Sequence, residues 1–244
     1  MDIRVAQLAV GRDLAANLAR ILAVLESARP GELVIFPEGM LSGYAPEDDR
    51  YAASLDERAI EDGIAETARR AAARRCHCLL GSATRSGGAW RNSVVLLGGP
   101  GEAPRYHKAE LSGLDRRHFS PGPAAGELFD VGGVPVGVLA CREILFPAAW
   151  MRLRERGAKL IVHLNNAVQP QDAVWIHVFP TRAMELGLFV CSVNNGAPTQ
   201  PLPSVLVAPS GREVLRTDLR KDHVLSAAID LGEVVPDLAS RTDF

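Results

Sequence analysis

The sequence predicts an α/β chain, and two observations carry that conclusion. Short apolar runs of strand length alternate with longer segments whose apolar residues recur at helical spacing, and this succession occurs twice along the chain. In each half the helices separate the earlier strands, and further strands pair up at the end. That order predicts a four-layer α-β-β-α sandwich: two mixed sheets packed face to face, helices outside, with approximate internal two-fold symmetry. A single doubly wound sheet with an antiparallel edge is the alternative that pattern alone leaves open.

Residues 3–10 read as the first strand. Asp13 is placed to cap a helix that carries Leu14, Leu18, Ile21, Leu22 and Leu25 on one face. Residues 33–36 form a strand, 56–75 an Ala-rich helix, 78–84 and 92–97 two strands joined by a Gly-rich turn, and 106–108 a short extended segment. The second half gives a strand at 134–140, a helix at 148–156, a strand at 159–164, a helix at 172–186, a strand at 188–193, and strands near 204–208, 213–216 and 224–229. Ser86-Gly87-Gly88, Gly98-Gly99-Pro100-Gly101 and Pro121-Gly122-Pro123 are short and lie between apolar runs, so they read as turns rather than linkers. One domain spanning residues 1–244 is expected.

With 47% hydrophobic residues in 244, the chain can bury one substantial core. Acids and bases nearly balance, for a net charge of −2, and the arginines within 69–75 and 152–156 lie in helix-like segments with Glu and Ala. They read as solvated faces, so no nucleic-acid partner is expected. The start, Met1-Asp2-Ile3-Arg4, lacks the features of a signal peptide, and no apolar run approaches the ~20 residues needed to span a bilayer. A soluble, cytoplasmic protein is the expectation, with little chain after Asp230 to reach a neighbouring subunit. The four cysteines show no disulfide framework. Cys76-His77-Cys78 has no second ligand pair at a zinc-finger distance, so no metal site is expected there, and Cys78 and Cys191 read as small buried hydrophobes in strands. Neither GxGxxG nor GxxxxGK[ST] occurs, which removes the common phosphate loops.

Three segments place reactive side chains at the ends of extended runs. Gly137-Val138-Leu139-Ala140 delivers Cys141 into a turn that opens onto Arg142 and Glu143. Leu33-Val34-Ile35-Phe36-Pro37 ends at Glu38, ahead of a Gly-containing loop suited to line a pocket. Tyr106-His107 leads to Lys108. A thiol with an ordinary pKa near ~8.5 is mostly protonated at neutral pH and needs a base or a lowered pKa. Glu38 is the candidate base, Lys108 the electrophile and Cys141 the nucleophile, with the N–H of Arg142 beside a developing oxyanion.

Nearly the whole chain resembles the carbon–nitrogen hydrolase, or nitrilase, superfamily, through segments that match in order. These are Phe36-Pro37-Glu38 with Ser42-Gly43-Tyr44, Tyr106-His107-Lys108 with Leu111, Phe119-Ser120-Pro121-Gly122, and the elbow around Cys141 with Arg152 and Gly157-Ala158-Lys159-Leu160-Ile161. Thr181-Arg182-Ala183-Met184-Glu185, Val193-Asn194-Asn195-Gly196, Ser204 and Pro209-Ser210-Gly211 complete the pattern. The resemblance implies the four-layer fold, a Glu38-Lys108-Cys141 triad, no metal or organic cofactor, and a homodimer or higher homo-oligomer. It also implies a second active-site carboxylate at Asp115, one methylene shorter than the usual Glu, and an acidic residue after the elbow at Glu143. The chain departs from the family at Arg142, where an aromatic is common, at Glu110 in place of His, and at Glu185-Leu186 in place of Glu-Asn.

The expected activity is hydrolysis of a non-peptide C–N bond in a small amide or N-carbamoyl compound through a thioester, with Arg142, Asp115 and Glu143 positioning the substrate or its oxyanion. Nitrile hydrolysis or acyl transfer with the same triad, and a non-catalytic small-molecule-binding member, are the alternatives.

Overall fold

A computed structural model describes residues 1–99 and 101–240. Pro100, in the second expected turn, and the chain end Arg241-Thr242-Asp243-Phe244 lie outside the described residues. The first half runs β1 (Asp2–Gln7), α1 (Leu14–Glu26), β2 (Leu33–Ile35), α2 (Tyr51–Ser54), α3 (Glu57–Arg74), β3 (His77–Ser86), β4 (Ala89–Leu97) and β5 (Arg105–His107). The second runs β6 (Glu127–Val131), β7 (Val134–Ala140), α4 (Pro147–Glu155), β8 (Leu160–Leu164), α5 (Val178–Leu186), β9 (Phe189–Val193), β10 (Val205–Val207), β11 (Glu213–Arg216) and β12 (His223–Ala228).

Two six-stranded sheets result, ordered β12-β1-β2-β3-β4-β5 and β6-β7-β8-β9-β10-β11. In each, three central strands are parallel, β1-β2-β3 and β7-β8-β9, and the flanking pairs are antiparallel. This is the internal symmetry expected from sequence, with one addition: the last strand of the chain returns to complete the first sheet, taking the place that β6 holds in the second.

Alternation along the strands sets the layers. Ile3, Val5, Leu33, Ile35 and Leu79 of the first sheet join Val136, Val138, Val162 and Leu164 of the second in one buried cluster, which continues through the second sheet to Trp150 and Leu153 of α4 and Phe179 of α5. The opposite face of the first sheet, with Val34, Cys78 and Leu80, packs on Ile21 and Leu25 of α1 and Ile60 and Ile64 of α3. Asp13 and Asp56 cap these two helices by accepting from the N–H groups of Ala16 (3.1 Å) and Ala59 (3.0 Å). Cys78 and Cys191 are buried in β3 and β9 as expected.

Three elements differ from the sequence reading. β6 was not anticipated, yet its signal is present: Gly132 and Gly133 both take positive φ (61° and 87°) and close a two-residue hairpin in which Val131 faces Val134. The short α2 was also not anticipated. The single helix expected at 172–186 is two pieces, a 3-10 segment at Pro170–His177 followed by α5. Pro180 accounts for the break, because a proline lacks the N–H an α-helix interior needs and fits only its first turn, so the α-helix begins just before it. Among the described residues no helix is long and apolar enough to cross a membrane.

Candidate active site

Glu38 follows β2, where the chain turns at Pro37. The turn rests directly on β3: a Cβ at Gly81 would lie 2.3 Å from the Pro37 carbonyl oxygen and 2.7 Å from the Glu38 Cα, so only glycine allows the approach. Lys108 follows β5. Its N–H donates to the Asn92 carbonyl (2.8 Å) and its carbonyl accepts from Gly122 N–H (2.9 Å). Gly122 is therefore a packing position as well as a turn; a Cβ there would sit 2.0 Å from the His107 carbonyl oxygen. The two side chains meet in the interior. Lys108 Nζ donates to Glu38 Oε1 at 2.8 Å and to Asp115 Oδ2 at 2.9 Å, and Asn92 Nδ2 donates to the same Glu38 oxygen at 2.8 Å. Glu38 Oε2 is buried and has no hydrogen-bond partner among the described residues.

Cys141 opens a 3-10 turn, Cys141–Leu145, directly after β7, with φ at +42°. A non-glycine residue in this region is strained by about 1–2 kcal/mol, which the surroundings must offset. Two side chains do so. His163 on β8 donates from Nε2 to the Cys141 carbonyl at 2.8 Å; since a carbonyl only accepts, Nε2 carries the proton and Nδ1 accepts from the Ser192 hydroxyl at 3.2 Å. Glu143 accepts through Oε2 from Ala140 N–H (2.8 Å), and through Oε1 from Ala109 N–H (2.9 Å), Glu110 N–H (3.2 Å) and the Tyr106 hydroxyl. Glu143 is thus a buried clamp joining the elbow to the loop that carries Lys108. It does not face the cavity, which corrects its expected role in positioning the substrate: its carboxylate is already filled by four protein donors.

A cavity of 640 Å³ opens beside Cys141, and Lys108, Asp115, Tyr44 and Asn166 also line it. Arg142 lies at its exposed edge with the guanidinium carbon 5.8 Å from the Phe146 ring centroid, and among the described residues no carboxylate pairs with it. Asp115 is fully buried and held on both oxygens, Oδ1 by the Tyr44 hydroxyl (2.6 Å) and Oδ2 by Lys108 and Ser112 N–H (3.1 Å). The far wall, with Val168, Asp172, Val174 and Trp175, comes from the 3-10 segment and the loop before it. Sequence reasoning did not single out His163, Asn166 or Asp172. His163 is a lone polar residue in an apolar strand, and that irregularity was its only signal.

The electrostatics divide the groups. Burial raises the Glu38 carboxyl above its usual range despite the opposing Lys108 charge. Burial and then the negative field of Glu38 hold the Cys141 thiol well above its ordinary value, with Lys108 pulling the other way, so it rests as a neutral thiol. Burial works against the Lys108 ammonium, but Glu38 and Asp115 outweigh it and keep the ammonium charged. Asp115, although buried, stays low through Lys108 and the Tyr44 hydrogen bond. Burial lowers His163 to about 4, so it is neutral under its strained carbonyl. An ammonium and a neutral thiol lining one cavity, with a carboxylate bonded to the ammonium, make an arrangement suited to thiol addition to a polarised carbon.

The carbon–nitrogen hydrolase family model matches residues 2–237. The chain belongs to the carbon–nitrogen hydrolase family. Among curated relatives of this hydrolase, an (R)-stereoselective amidase of a Pseudomonas species is 32% identical over 94% of the chain and 86% of its own length. A nitrilase of Pyrococcus abyssi is 26% identical over 85% and 80%. Among solved structures, an amidase from Nesterenkonia sp. AN1 superposes with a TM-score of 0.83 at 21% identity, covering 99% of this hydrolase and 96% of that chain, which shows the shared fold. Another structure of that amidase, a Glu-to-Gln mutant, carries acrylamide added to its active-site cysteine.

Proposed function

We propose that this hydrolase is an amidase that cleaves the C–N bond of a small amide or N-carbamoyl compound through a thioester on Cys141. The carrying observation is that Lys108 and Asp115, bonded in one cluster with Glu38, line the same cavity as Cys141. Glu38 Oε2, buried without a partner, takes the thiol proton as sulfur attacks the carbonyl carbon. Two of the three Lys108 N–H bonds are committed to carboxylates, and the third, with the N–H of Arg142, holds the oxyanion. Protonated Glu38 returns its proton to the leaving amine as the C–N bond breaks. Water then gives a proton to Glu38 and its oxygen to the acyl carbon; the acid leaves, and the proton returns to sulfur.

The resemblance to the Pseudomonas amidase favours amide over nitrile as substrate, and the same triad would act on a nitrile, consuming two waters. The proposal includes a cytoplasmic location, supported by four free thiols, one folded unit over residues 1–244, and a homodimer or larger homo-oligomer. Intact-protein mass spectrometry after incubation with a panel of primary amides, carbamoyl compounds and nitriles tests the reading. The expected result is a mass increase equal to one acyl group, absent in Cys141→Ala. Amide hydrolysis by Cys141→Ala at the unmodified rate would overturn it, and turnover of nitriles alone would move the substrate class.

A further inference from the structure

The Asp115 carboxylate is one methylene shorter than the residue the resemblance implies at its position, and a phenol that lines the cavity is bonded to it. Tyr44, from the loop after Glu38, donates its hydroxyl proton to Asp115 Oδ1 at 2.6 Å while lining the same cavity as Cys141 and Lys108. Asp115 itself is fully buried. Its two oxygens already accept from Tyr44, Lys108 and Ser112 N–H, so the carboxylate is largely spent on the protein. The phenol oxygen is different. Its only proton is committed to a carboxylate, so toward the cavity it can act only as an acceptor, and the negative partner behind it strengthens it in that role. The phenol also stays un-ionised, because burial first, then the charges of Glu38 and Asp115, push its pKa well above the ordinary value.

We propose that the Tyr44 hydroxyl oxygen accepts a hydrogen bond from the N–H of the substrate amide, as a positioning group that favours substrates with an N–H over esters of the same acid. This rests on the amidase reading above. It follows from donor and acceptor inventory: Lys108 and the Arg142 N–H present donors for the carbonyl oxygen, and an amide NH2 on the other side of the carbonyl carbon requires an acceptor. Glu38 must be free to carry protons between sulfur and nitrogen. Tyr44 can hold the nitrogen in place without taking part in proton transfer, and Asp115 fixes the direction of its lone pairs.

The test compares the primary amide with the highest kcat/KM in the panel and the p-nitrophenyl ester of the same acid, in the unmodified enzyme and in Tyr44→Phe. Removing one acceptor of a hydrogen bond should lower the amide-to-ester ratio of kcat/KM by about 10- to 100-fold. In the unmodified enzyme, the N,N-dimethylamide of that acid, having no N–H to give, should fall below the primary amide by at least as much, a reading that stands even if Tyr44→Phe folds poorly. An equal loss on amide and ester, or a dimethylamide cleaved as fast as the primary amide, would overturn the assignment of Tyr44 while leaving the amidase reading intact. An unmodified enzyme that releases p-nitrophenol yet cleaves no amide would sink both.

Discussion

Replacing Glu143 by Gln separates a clamp from a substrate contact. The carboxylate accepts from Ala140 N–H on one oxygen and from Ala109 N–H, Glu110 N–H and the Tyr106 hydroxyl on the other. A glutamine has one acceptor oxygen. Turned to keep the three donors, it sets its NH2 against Ala140 N–H; turned to keep Ala140, it opposes three. The first orientation is the better one, and it loses one hydrogen bond to a charged acceptor, worth about 1.5–3 kcal/mol, while the remaining three weaken from charged to neutral. The neutral side chain costs less to bury, which offsets part of this, and a net destabilisation of about 3 kcal/mol follows. For a chain of this size that is a Tm lowered by about 6–12 °C in differential scanning calorimetry. Activity should fall through kcat, because the clamp joins the elbow of Cys141 to the loop that carries Lys108. An unchanged Tm with a raised KM for charged amides would refute the clamp and restore Glu143 as a substrate contact.

Cys141→Ser should fold with an unchanged melting profile and lose turnover, whereas Cys76→Ser and Cys78→Ser should remain active wherever their folding survives; amide turnover by Cys141→Ser at the unmodified rate would exclude the nucleophile. Arg142 is exposed at the cavity edge without a carboxylate partner among the described residues, so Arg142→Leu should lower kcat/KM for carboxylate-bearing amides about 10-fold more than for neutral ones, and an equal loss would exclude recognition by its guanidinium. Burial lowers His163 to about 4. Its unfolded value lies near ~6.5, so the stability it confers is full above that pH and is lost as pH falls toward 4, by about 3 kcal/mol over the interval. His163→Gln, which keeps a donor for the Cys141 carbonyl, should flatten this part of the denaturation-against-pH curve, and an unaltered slope would show that another group titrates. A sedimentation mass at a multiple of 26.2 kDa is expected for the proposed oligomer, and 26.2 kDa itself would exclude it.

The residues legible in the sequence are those whose placement is local. β7 was read to the residue because an apolar run bounded by turns fixes its own limits, and Glu38, Lys108 and Cys141 stood out because each ends such a run. Asp115 entered only through the resemblance. Glu143 was misread for a reason that sequence cannot supply: whether a carboxylate beside a nucleophile faces a cavity or the interior depends on which donors converge on it, and three of its four come from residues 33–37 positions away. His163 was missed on the same ground, since its partner carbonyl is 22 residues distant and acquires its need for support only from the +42° φ of Cys141.

This division bears on substrate choice. The groups that would run the chemistry stand at strand ends held by sheet pairing and close glycine contacts, where local pattern and tertiary structure agree. The far wall of the cavity does not. Val168, Asp172, Val174 and Trp175 come from residues 168–175, which overlap the stretch where helical periodicity predicted an α-helix and the structure forms 3-10 turns ahead of Pro180. A 3-10 turn repeats every three residues rather than 3.6, so side chains three apart lie nearly in line. Val168 and Val174 are both exposed at 46% and 60%, unlike residues chosen to fill a core, and with Asp172 and Arg142 they form a rim that is apolar in part and charged in part. On the proposed function, selectivity among substrates would rest on the segment whose geometry local propensity specifies least. Substitutions there should shift relative kcat/KM between acyl groups while leaving the Glu38-Lys108 contact in place, because no hydrogen bond from that segment holds either residue.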